Sequence, residues 1–198
     1  MIPRPSAALS AIPLLLALPG CVSFGAKPPK QVIGLSSDAR VPAGQSKTTS
    51  DKTAISVGLP ALPAELRNAR IAVQSGASFA YLPKAAWVDM PSHMFRALLA
   101  ETIEARTGRF VPDLRNPAIT PDTRLGGTLN AFQLLGGQGK VLVIFDATLA
   151  RSGSDQLQAR RFEASAPVRE EDARSVTSAL NRAANQVAND VADWIGGA

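Results

Sequence analysis

Few side chains in this chain are of a type and spacing that could do chemistry. His93 is the only histidine and Cys21 the only cysteine, so neither a zinc set nor an internal disulfide can be assembled. A Ser–His pair would have to use His93, which stands near the start of an amphipathic segment, and there is no Gly-x-Ser-x-Gly elbow. Two carboxylate pairs, Glu101 with Glu104 and Asp190 with Asp193, have the spacing of neighbours on a helix face and could be imagined as an acid and a base. Without a histidine or metal beside them, they read as solvated helix faces. The run Gly136-Gly137-Gln138-Gly139-Lys140 looks like a phosphate loop but has Leu134 and Val141 where that motif needs Gly and Ser or Thr. It lies between two strand-like segments and is expected to be a hairpin turn. Trp87 and Trp194 read as core anchors. No catalytic constellation, cofactor site or metal site is expected.

Cys21 is different because of what precedes it. Arg4 and the amino terminus open the chain, and an apolar run from Ala7 to Leu18 follows, densest at Leu14 to Leu18. This is the three-part layout of an export signal. It is too short to span a bilayer, and Pro13 interrupts it. Leu18-Pro19-Gly20-Cys21 resembles the lipobox of bacterial lipoproteins, with Pro19 departing from the commonest pattern. The resemblance implies removal of residues 1–20, diacylglyceryl transfer to the Cys21 thiol and acylation of the new amino group. Several acyl chains on one residue make a stable anchor, each buried methylene contributing ~0.8 kcal/mol. Val22 and Ser23 follow, and the absence of Asp there implies sorting to the outer membrane, facing the periplasm.

These features need a body to carry. The chain has 198 residues, 45% hydrophobic and 19% charged, enough for one domain with a single core. Net charge is +5, but Lys and Arg are scattered and no aromatics interleave them, so no nucleic-acid partner is expected. Residues 21–52 are rich in Pro, Gly, Ser, Thr and Lys and read as a flexible lipidated leader, with a strand at Gln31–Leu35 as its one apolar stretch. A folded domain is expected over 53–198.

Within it, Thr53–Val57 alternates as a strand, Ala64–Leu66 is at most one helical turn, and Arg70–Gln74 and Ala77–Tyr81 flank Ser75-Gly76 as a hairpin. A helix follows, capped by Asp89 or Ser92, with Phe95, Leu99 and Ile103 in line and Gly108 as its stop. Leu125–Leu134, Lys140–Leu149 and Leu157–Val168 read as strands, the second the most apolar and expected to be central. Val176, Leu180, Ala184, Val187, Val191 and Trp194 recur at steps of four or three, one apolar stripe on a long closing helix. The order predicts an α+β fold, a mostly antiparallel sheet with two amphipathic helices packed on one face.

Taken in order, Ala61–Leu66, Arg70–Gln74, Tyr81, Ala86-Trp87-Val88-Asp89-Met90-Pro91, the helix from Met94, Gly126–Leu129, Arg161–Ala164 and Ala179 through Trp194 resemble the ABC-type transport auxiliary lipoproteins. This group includes the lipoprotein subunit of the paraquat-inducible system. The first strand lacks the family's usual tyrosines. The resemblance implies a non-enzymatic part of an MCE-type lipid transport system. Its partners would be an MCE-domain periplasmic protein and an ABC permease and ATPase, with room for a homo-oligomer. Only Cys21 carries over as a functional position. Three readings follow: an adaptor docking the periplasmic conduit to the outer membrane, a stand-alone lipid carrier, and a periplasmic enzyme built around His93.

Overall fold

The computed structural model describes residues 31–113 and 119–197. The export segment and Cys21 lie outside them.

Seven strands form one mixed sheet: β1 (Gln31–Ile33), β2 (Ile55–Val57), β3 (Arg70–Ser75), β4 (Ser78–Trp87), β5 (Thr123–Leu135), β6 (Lys140–Arg151) and β7 (Leu157–Pro167). Their order is β1-β4-β3-β5-β6-β7, with β2 also on β5. The long pairings, β5 with β6 and β6 with β7, are antiparallel, as is the β3–β4 hairpin. The pairings of β1 with β4, β2 with β5 and β3 with β5 are short and parallel. Two helices, α1 (Pro91–Thr107) and α2 (Ala173–Gly196), complete the α+β fold.

Alternation decides which way the sheet faces. In β6 the residues Val141, Val143, Phe145, Ala147 and Leu149 are buried and those between them are half-buried. One side is therefore dry and carries the helices. Phe145 meets Phe95 of α1 at 5.3 Å, and Phe162 of β7 meets Trp194 of α2 at 5.6 Å. Trp87, at the end of β4, packs on Phe132 of β5 at 5.1 Å. Along α2, Val176, Leu180, Ala184, Val187 and Val191 are wholly buried, and Asp172 caps the helix by accepting the Ser175 N–H at 2.8 Å.

Four local expectations need correction. β6 is not central: β5 takes that place, because it pairs with β6 on one side and with β2 and β3 on the other. The β3–β4 turn is Gly76-Ala77, since Ser75 pairs with Ser78 and Gly76 supplies the positive φ. No side chain caps α1: its N-cap is Met90, Pro91 opens the first turn, and Asp89 turns its carboxylate to the Met90 N–H and to His93. Gly108 ends α1 in the left-handed conformation, as its type demands. The fourth correction concerns the supposedly flexible leader, whose stretch from Gly34 onward is laid across the two helices.

Candidate functional site

After Ile33 the chain leaves the sheet and is held by polar side chains projecting from both helices. The Ser36 N–H donates to Asn181 Oδ1 and the Asp38 N–H to Asn185 Oδ1, both at 2.8 Å. Asn185 Nδ2 returns a bond to the Ser36 carbonyl at 2.8 Å. Ser37 Oγ lies 3.1 Å from Thr102 Oγ1 on α1. Further on, the Val41 N–H donates to Glu101 Oε1 at 3.1 Å, and Lys47 Nζ meets Glu104 Oε1 at 3.2 Å. Most of these bonds go to the backbone of this segment, residues 34–47, which forms a strap over the helices, so its own side chains need not be apolar. That is why a composition of Ser, Pro, Gly and Lys reads as unstructured although its backbone has fixed partners.

The residues considered for chemistry are accounted for by this packing. Glu101 and Glu104 both hold the strap. Asp193 pairs with Arg106, tying α2 to α1, and Asp190 accepts from Gln186 Nε2 at 2.9 Å. His93 Nδ1 lies 3.0 Å from Asp89 Oδ1, with both side chains about half exposed. Asp89's carboxyl sits below its ordinary range, first because the Met90 N–H donates to it and then because His93 does. The glycine run is the β5–β6 turn, and its Gly137 N–H donates to Glu171 Oε1 at 2.8 Å. Trp87 is buried and Trp194 half-buried. Among the described residues no three His, Cys, Asp or Glu side chains gather as metal ligands, and no helix is long and apolar enough to cross a membrane.

Sequence reasoning missed Asn185. It is 3% exposed on α2, a polar residue among apolar ones. Its placement four residues after Asn181 was the available signal, since that spacing aligns two amides along a helix.

Between the strap and α1 runs an open groove of about 520 Å³. Leu35, Val88, Met94, Ala97 and Leu98 form its apolar wall, and Arg40 stands at its edge. Val88 is 63% exposed. The groove's other ionisable groups are engaged: Asp89 with His93, and Glu101 with the Val41 N–H.

The sequence profile described as "ABC-type transport auxiliary lipoprotein component" matches residues 35–192. Among curated proteins none matches the chain. In solved structures the chain is similar to an uncharacterized protein at 16% identity, with a TM-score of 0.68, over 85% of this chain and 99% of that one. It is equally similar to a Xanthomonas campestris protein of the DUF330 family, at 18% identity and TM-score 0.68, over 84% and 96% of the two chains. At such identities the likeness speaks for the fold alone.

Proposed function

Because the chain belongs to the ABC-type transport auxiliary lipoprotein component family, we propose that it is the non-catalytic outer-membrane lipoprotein of an MCE-type lipid transport system. In this reading residues 1–20 are removed, Cys21 carries the lipid, and the folded body docks the periplasmic lipid conduit. The partners are an MCE-domain periplasmic protein with its ABC permease and ATPase. The observation that carries the reading is the family match across 35–192, over a body in which Glu101 and Glu104 hold the strap and Asp193 joins the helices.

The tether argument is physical. Gln31 is ten positions after Cys21, and extended chain covers at most ~3.5 Å per residue, so β1 stays within ~35 Å of an acylated Cys21. Position then does what reactivity does not. Tagged full-length protein recovered from detergent-solubilised envelopes is expected to bring down the MCE-domain protein, permease and ATPase. A Cys21→Ser chain is expected to take up no labelled palmitate and to leave the outer-membrane fraction. Unchanged sedimentation of that variant, or recovery of wild type without any of the three partners, would overturn the docking role.

The groove beside α1 favours a second reading, a stand-alone carrier of lipid. Carrier and adaptor separate on one measurement: a carrier copurifies with stoichiometric phospholipid in the absence of any transport partner.

A further inference from the structure

We propose that the groove between the strap and α1 seats one acyl chain of a phospholipid, with its phosphate on the Arg40 guanidinium. The proposal rests on the lipid-transport reading above and names the site at which lipid would meet this subunit.

Three observations converge. The wall is apolar, from Leu35 on the strap to Met94 and Leu98 on α1, and Val88 leaves 63% of its surface to solvent there. Burying such surface under hydrocarbon is favourable, whereas leaving it wet is not. The volume of about 520 Å³ lies within the range of small-ligand sites, and the groove is open, which suits an elongated ligand that leaves its head group outside. Arg40 supplies the head-group contact. Asp89 and Glu101 also line the groove, but their carboxylates take hydrogen bonds from the Met90 N–H and the Val41 N–H, while Arg40 has no ion pair among the described residues. A guanidinium free to offer its planar fork favours phosphate over a neutral or cationic group. The groove's location agrees: Gly34 is thirteen positions after Cys21, so a lipidated Cys21 keeps the groove within ~45 Å of a bilayer.

The test uses the full lipidated chain in phosphatidylethanolamine vesicles doped with phosphatidylglycerol bearing a photoactivatable diazirine at the end of one acyl chain. After illumination, adducts are mapped by peptide mass spectrometry. The expected adducts fall on Leu35 and on the stretch 88–98. Ala97→Phe fills the groove from an exposed position and is expected to cut them about fivefold or more with an unchanged melting curve. Arg40→Glu is expected to cut labelling by phosphatidylglycerol about threefold and leave labelling by a diazirine diacylglycerol unchanged.

Adducts that persist in Ala97→Phe, or that fall only outside the groove, overturn the proposal. So does a disulfide-linked dimer of Val88→Cys, which would mean that a second copy covers this surface. Wild type that labels in the groove but captures no transport partner supports the site while removing the docking role. Partner capture by wild type without groove labelling does the reverse.

Discussion

At the scale of single residues, the least replaceable position described is Gly127. Its φ of +146° is one that residues with a Cβ rarely adopt, and a Cβ there would lie 2.1 Å from the Asp146 carbonyl oxygen on β6. Gly127→Ala is expected to destabilise the fold by about 2–4 kcal/mol. That corresponds to a fall in melting temperature of about 5–15 °C for a chain of this size, measurable by circular dichroism. Asp146 itself poses a milder question on the outer side of the sheet. Arg161 Nε donates to its Oδ1 at 2.6 Å and Asn130 Nδ2 to its Oδ2 at 2.7 Å. These bonds, the Arg161 one first, hold the Asp146 carboxyl below its ordinary range. A carboxyl depressed in the folded state stabilises it above the unfolded pKa and loses that contribution as pH falls through the folded value. Urea titrations of wild type and Asp146→Asn should therefore differ at neutral pH and converge in acid. The gap will be small, because the pair is solvent-screened.

At the scale of elements, α2 has two jobs that separate cleanly by mutation. Its apolar stripe closes the core: Leu180 is wholly buried, and Leu180→Ala should cost about 2–5 kcal/mol in global stability. Its amides hold the strap. Asn185→Ala leaves the Asp38 N–H and the Ser36 carbonyl without their partner, a loss of about 1–3 kcal/mol. Hydrogen exchange is expected to tell the two apart. The asparagine variant should speed exchange at Asp38 and its neighbours while β5 and β6 stay protected; the leucine variant should lower protection throughout the sheet. Equal loss of protection everywhere in Asn185→Ala would mean that the strap and the core open as one unit.

At the scale of the whole molecule, the body and the tether are expected to be independent. The core is built from residues after Gly34, with β1 adding a parallel edge of three residues. A Cys21→Ser chain should therefore melt at the temperature of wild type while losing its membrane retention. A substantially lower melting temperature would show that the anchor contributes to folding rather than to location. The molecule is thus read as a stable α+β body with a polar strap on its helical face, joined through a short leader to a lipidated cysteine in the proposed arrangement.

Much of this was legible in the one-dimensional pattern. The steps of four and three from Val176 to Trp194 required a helix with one dry side, and the alternation from Arg161 to Ala166 required an edge with one wet side, because periodicities of 3.6 and 2 are set by backbone geometry alone. The Gly108 stop and the Gly136–Gly139 turn were equally readable, since only local φ and ψ are at stake. Tertiary structure alone decided what depends on partners distant in sequence. β5 rather than β6 became the middle strand, because hydropathy reports how dry a strand is and not which neighbours it pairs with. The strap was invisible for a sharper reason: its backbone is held by side-chain amides about 145 residues away, and hydrogen-bonding capacity of that kind leaves no periodic trace in the residues that receive it.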